Sequence, residues 1–127
     1  MAWTVRYLSQ GADIRFSGRV GVQEICDAQR EAIRHAYEGP MRFNVFDYAD
    51  ADDVHLETGD LIRIFDGRKD HLREHPPYAL VLIGDQPILR DLDRLWDVLV
   101  RDIPLETVLL PNREEAQRWL RDNGYSG

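Results

Sequence analysis

A single cysteine, Cys26, stands among 127 residues, so no disulfide can form within the chain and nothing in it asks for an oxidising compartment. Long apolar runs are missing too. The longest, Ala79 to Ile83, falls far short of the roughly 20 residues that span a bilayer. Positive charge is scarce: 16 Lys and Arg against 23 Asp and Glu leave a formal net charge of −7, whereas a broad nucleic-acid surface needs a basic excess. The chain carries no G-x-G-x-x-G run, no P-loop and no Ser-His-Asp pattern, and no repeat, low-complexity segment or linker. Its opening residues, MAWTVRYLSQ, lack the basic and apolar regions of a secretory signal. The expectation from these absences is a cytoplasmic protein with no nucleic-acid partner and no cofactor.

What is present suits one domain over residues 1–127, with 43% apolar and 31% charged residues. Residues 2–8 alternate, Trp3, Val5 and Tyr7 on one side and Thr4 and Arg6 on the other, which predicts a half-buried strand. After a turn over Ser9 to Asp13, Ile14, Phe16 and Val20 alternate with Arg15, Ser17 and Arg19, completing an antiparallel hairpin with one wetter face. From Gly21 to Glu38 the period becomes helical: Val22, Ile25, Cys26, Ala32, Ile33, Ala36 and Tyr37 form one stripe, and Gly39-Pro40 stops it. Residues 41–48 read as a third strand ending in an acidic loop with Asp47, Asp50, Asp52 and Asp53. Thr58 is placed to cap a second helix carrying Leu61, Ile62, Phe65 and Leu72 inward and ending by His75, before Pro76-Pro77.

YALVLIG (78–84) is apolar without alternation, the pattern of a strand covered on both faces. Asp85 and Pro87 open a third helix, with Ile88, Leu89, Leu92, Leu95, Trp96 and Leu99 as its stripe. Residues 106–110 form a last strand, and Asn112 with Glu115 caps a final helix bearing Ala116, Trp119 and Leu120. The order ββαβαβαβα predicts an α/β fold. Its five-stranded mixed sheet is antiparallel only at the N-terminal hairpin, and its four helices follow right-handed crossovers.

Five segments together resemble the SpoIIAA-like branch of the STAS (sulfate transporter and anti-sigma-factor antagonist) superfamily and the related small STAS/CRAL-TRIO-like bacterial proteins. They are the aromatic strand WTVRY, IRFSGRV running straight into a helix, the strand ending in Asp47, YALVLIG, and REEAQRWL after VLLPN. The resemblance covers almost the whole chain. It implies a β–α superhelix around a mixed sheet and a regulatory or binding role without enzymatic activity. The implied partner is a protein or a small apolar, lipid-like ligand. In antagonist members the phosphoacceptor opens the second helix in an Asp-Ser-Ser/Thr-Gly loop. The matching place reads Leu56-Glu57-Thr58-Gly59, where Thr58 and Gly59 match and Leu56 and Glu57 depart.

Several residues invite chemistry, and each has a plainer explanation. Thr58 could accept a phosphate at a helix N-terminus, but capping alone accounts for it. The Asp47–Asp53 carboxylates could hold a hard cation, yet lack the glycine of an EF-hand turn. His71-Leu72-Arg73-Glu74-His75 spells H-x-x-E-H, but sits against Pro76-Pro77 without a third ligand. Arg6, Arg15 and Arg19 on the wet hairpin face could meet an anionic partner or headgroup, or merely keep an edge from aggregating.

The reading is a non-enzymatic binding or regulatory module whose site lies at the carboxyl ends of the parallel strands, formed by Asp47, Thr58, Gly59, Leu61, Phe65 and Gly84. There Asp47 would orient a polar head while the Phe65 helix covers an apolar tail. The alternatives are a metal-dependent hydrolase using the Asp47–Asp53 loop or His71 and His75, and an antagonist switched at Thr58. Peripheral membrane contact and a homodimer are left open.

Overall fold

The computed structural model describes residues 2–36, 42–66, 78–99, 101–102 and 105–125. Five strands and four helices alternate as expected: β1 (Trp3–Tyr7), β2 (Gly11–Val20), α1 (Val22–Ala36), β3 (Phe43–Val54), α2 (Thr58–Asp66), β4 (Tyr78–Ile83), α3 (Pro87–Leu99), β5 (Leu105–Leu110) and α4 (Arg113–Asp122). The strands lie in the order β1-β2-β3-β4-β5. The β1–β2 pair is antiparallel and the other three are parallel, the arrangement that βαβ crossovers produce. Among the described residues no helix is long and apolar enough to cross a membrane.

Strand alternation divides the side chains between two cores of different character. On one face Ala12, Ile14, Phe16, Phe46, Tyr48, Leu80 and Leu82 meet the apolar stripes of α1, α2 and α3. Phe16 stacks on Tyr48 at 4.6 Å and meets Phe46 edge-on at 6.0 Å, while Phe65 meets Trp96 at 5.6 Å and ties α2 to α3. The opposite core is smaller: Phe43, Val45, Ala79, Val81 and Ile83 pack with Ala116, Trp119 and Leu120 of α4. Every residue of β4 from Ala79 to Ile83 is buried, so the strand without alternation is indeed covered on both sides.

The structure corrects several local readings. The Ser9–Asp13 turn is shorter, because β2 already starts at Gly11 and Asp13 lies buried within it. The acidic segment is strand, since β3 runs on to Val54 against Ser17–Val20. Between Arg15↔Asp47 and Ser17↔Asp50, and again between Gly18↔Ala51 and Arg19↔Asp53, β3 advances one residue more than β2. These bulges turn Asp50, Asp52 and Asp53 to solvent while Val54 returns to the core. β4 pairs with β3 only as far as Asp47. Beyond that point Gln86 Nε2 covers the bare edge, donating to the carbonyls of Tyr48 at 2.8 Å and Ala51 at 3.3 Å.

At α2 the Leu61 N–H bonds the Glu57 carbonyl, and the Asp60 carboxylate accepts from the Glu57 N–H at 3.0 Å. Glu57 therefore holds the cap position, and Thr58 is the first helical residue. The inward residues of this helix are Leu61, Ile64 and Phe65, and Ile62 stays 44% exposed, because positions i, i+3 and i+4 share a face and i+1 does not. The expected continuation to His75, with Leu72, lies outside the described residues, as do Tyr37 and Gly39-Pro40. Gln29, buried on α1, donates its Nε2 to the Ile64 carbonyl at 2.9 Å and joins the two helices.

Candidate functional site

Among the described residues three helices cover one face of the sheet, and α4 alone serves the other, packed over β4 and β5. Strand alternation therefore leaves the outer side chains of β1 and β2 on this face without a helix above them. Thr4, Arg6 and Arg15 are exposed, while Asp13 and Asp47 sit deeper, at 4% and 7% exposure. Parallel pairing sets Asp13 opposite Val45 and Arg15 opposite Asp47. The two carboxylates thus lie on neighbouring strands, facing the start of α4.

Arg113, the first residue of α4, closes over both. Its Nη1 and Nη2 donate to the two oxygens of Asp13 at 2.8 and 2.9 Å. Its Nε and Nη2 donate to Asp47 Oδ2 at 3.2 and 2.8 Å. The other Asp47 oxygen accepts from the Ala49 N–H at 2.9 Å. Burial works to lower the Arg113 pKa, but the hydrogen bonds and charges of Asp13 and Asp47 outweigh it and hold the guanidinium above its ordinary value. All four carboxylate oxygens are engaged. Such a cluster works as a clasp between helix and sheet and leaves neither aspartate placed as a general base.

Beside the clasp runs a groove of about 490 Å³ between β1–β3 and α4. Its apolar lining comes from Leu8, Phe43, Val45, Leu120 and Tyr125, and its polar rim from Arg6, Arg15, Gln117 and Arg121. A Schellman turn closes one end: Gly124, at φ 82°, donates its N–H to the Arg121 carbonyl, and the Tyr125 N–H bonds the Leu120 carbonyl at 2.9 Å. The turn folds the Tyr125 ring back onto Trp119 and against Phe43, with Arg42 5.4 Å above it.

A hollow of about 190 Å³ lies beside Arg19, Glu24 and His55, and two others lie elsewhere. One of about 210 Å³ adjoins Gly84, Gln86, Arg90 and Pro111. The other, about 270 Å³, lies between α1 and α2 beside Cys26, Gln29 and Arg63. Burial pushes the Cys26 thiol up, against the opposing charges of Arg63 and Arg30, so it stays protonated at neutral pH.

No family model matches the chain, and no curated protein matches it. Solved structures do match. The anti-sigma factor antagonist SpoIIAA in its unphosphorylated form superposes with a TM-score of 0.59 at 14% identity, over 97% of this chain and 99% of that one. An uncharacterized DUF3478-family protein from Shewanella loihica, itself with a SpoIIAA-like fold, gives 0.57 at 15% identity, over 94% of this chain and 92% of its own. The Bacillus cell fate determinant SpoIIAA in its phosphorylated form gives 0.54 at 13% identity, over 94% and 100%. The chain has a SpoIIAA-like fold.

Within this SpoIIAA-like fold the residues expected to form one site are divided between the two faces of the sheet. Asp47 faces α4 and belongs to the clasp, while Leu61 and Phe65 pack into the three-helix core on the opposite face. The Asp47 carboxylate and the Phe65 helix therefore do not share a cavity. Thr58 opens α2 and Gly59 is exposed beside it. Gly84 is buried at φ 153°, and a Cβ there would stand 2.5 Å from Gln86 and 2.6 Å from Leu89. Its missing side chain makes room for the start of α3. Among the described residues no group of three or more His, Cys, Asp or Glu side chains could hold a metal ion; His71 and His75 lie outside those residues.

Sequence reasoning reached Arg6 and Arg15 of the groove but missed Asp13, Arg113, Gln117, Arg121 and Tyr125. One signal was available for Arg113. A cation in the first turn of a helix opposes the helix dipole, so an arginine directly after the Asn112 cap needs a carboxylate elsewhere in the fold.

Proposed function

We propose that the chain is a non-enzymatic binding module and that its ligand site is the groove between β1–β3 and α4. The observation that carries this reading is that the described residues cover one sheet face incompletely and leave a concave, largely apolar groove of about 490 Å³. That volume lies within the roughly 300–1,000 Å³ of small-molecule sites. The groove also combines an apolar floor with a few polar side chains at the rim, the composition such sites have. The occupant is a small apolar ligand with a polar end. Titration with octanol, followed by amide shifts in NMR, tests the location. Shifts should centre on Leu8, Phe43, Val45 and Leu120. Shifts centred on Thr58, Gly59, Leu61, Phe65 and Gly84 would restore the strand-end rim as the site, and the absence of any saturable shift would remove the small-ligand reading.

A partner protein is the second reading. It is favoured by one structural neighbour being an anti-sigma factor antagonist, solved in unphosphorylated and phosphorylated forms. A switch at Thr58 would add a phosphate to a stretch of chain that already carries Glu57 and Asp60, and the Asp60 carboxylate already occupies the Glu57 N–H. Like charges there oppose the modification. A Thr58→Glu variant with unchanged partner capture would argue against the switch.

A further inference from the structure

The groove's own charges specify its occupant more narrowly. Four arginines line it, Arg6, Arg15, Arg113 and Arg121, and Asp13 is the one carboxylate among the described lining residues. Arg113 is consumed by Asp13 and Asp47. Arg15 stands 3.8 Å from the same Asp13. Arg6 and Arg121 make no ion pair among the described residues and project from opposite walls, β1 and α4. Two unmatched positive charges thus flank an apolar floor, in a chain whose formal net charge is −7. By contrast, Arg30, Arg34 and Arg118 are paired within their own helices, with Asp27, Glu31 and Glu114. An excess of one sign over a concave apolar surface selects a ligand of the opposite sign.

We propose that the groove takes an anionic amphiphile: a carboxylate-type head held by Arg6 and Arg121, with Arg15 in support, and a single short apolar tail lying on Phe43, Val45 and Leu120. This inference rests on the groove being the ligand site. The clasp has a defined part in it. Arg113 offsets one of the two buried negative charges of Asp13 and Asp47, and Arg15, 3.8 Å from Asp13, offsets the other, so the floor beneath the head carries no net negative charge.

Octanoate, octanol and octylammonium share one tail and differ in head, so calorimetry with the three at low salt isolates the charge. Octanoate is expected to bind roughly tenfold tighter than octanol, as two charge-assisted contacts imply, and octylammonium more weakly than either. Raising the salt should erase the advantage of octanoate, because both arginines are solvent-exposed. The Arg6→Gln, Arg121→Gln double variant should bring octanoate to the level of octanol and leave octanol binding unchanged. Arg34→Gln, on the far side of the sheet, should alter neither. Equal binding of octanoate and octanol to the unaltered protein would overturn the charge assignment and leave the groove reading standing. A preference for octanoate that survives the double variant would overturn the choice of arginines. Failure of all three probes to bind would overturn both readings together.

Discussion

The two faces of the sheet are built on different principles. The face under α1, α2 and α3 is covered and aromatic, and the largest of its fully buried side chains are Tyr48, Phe16 and Ile14. The face under α4 is half covered and keeps two aspartates and an arginine at its heart. The first face gains its stability from apolar area, which is non-directional and tolerant of detail. The second depends on one fork of hydrogen bonds with fixed geometry, and leaves beside it an open groove. The apolar core that stabilises the fold and the proposed recognition groove thus lie on opposite sides of one five-stranded sheet.

The sharpest contrast lies within the α4 face itself. Asp47 and Val81 both point toward α4 from adjacent strands, and Asp47 is tolerated because Arg113 reaches it. Val81 is fully buried in a cluster of apolar side chains. Val81→Asp should therefore cost several kcal/mol, on the order of an unpaired buried charge, and leave the domain unfolded by circular dichroism. A cooperatively folded variant would mean that this face is wetter than described.

A smaller loss is expected from Arg113→Met, which keeps most of the bulk but abandons two buried carboxylates. Removing one partner from a buried ion cluster costs about 3–5 kcal/mol, read as a lower urea midpoint. Adding Asp13→Asn and Asp47→Asn to the same chain should recover much of that loss, because no stranded charge remains. If Arg113→Met alone shifts stability by less than about 1 kcal/mol, as exposed pairs do, the clasp is a surface feature and the contrast between the faces fails.

The smallest effect concerns the three-helix side of the molecule. Burial, and next the charge of Asp97, raise the Asp93 pKa on α3, against a hydrogen bond from Thr107. A carboxyl with a raised folded-state pKa binds its proton more tightly in the native than in the unfolded chain. Its stabilising contribution is present in acid and is lost as pH rises from the ordinary carboxylate range through the raised value. Asp93→Asn should therefore raise stability near neutral pH by about 0.5 kcal/mol, since the site is partly solvated, and the gain should vanish in acid. A gain of equal size at both pH values would assign it to packing instead of charge.

How much of this was legible follows the same division. The elements of the three-helix face announce themselves because apolar spacing repeats over short windows: Ile14, Phe16 and Val20 in β2, or Leu89, Leu92 and Trp96 in α3. β4 was legible for the opposite reason, having no alternation at all. The continuation of β3 through Asp50, Asp52 and Asp53 was not, because aspartate disfavours strands and only pairing with β2 overrides that preference. The clasp was hidden by distance. Arg113 lies 100 residues from Asp13 and 66 from Asp47, and local patterns carry no information about such a pairing. The groove was half visible, in Arg6 and Arg15 on the wet face of the hairpin, while its other wall waited on where α4 would lie.

The proposed recognition site lies in the uncovered half of the α4 face. Gln117 is exposed on α4 and lines the groove, so Gln117→Trp fills the groove from the solvent side without entering the core. The Gln117→Trp variant should keep the melting temperature of the unaltered protein and bind neither octanol nor octanoate. A Gln117→Trp protein that is equally stable and binds both as before would contradict that placement.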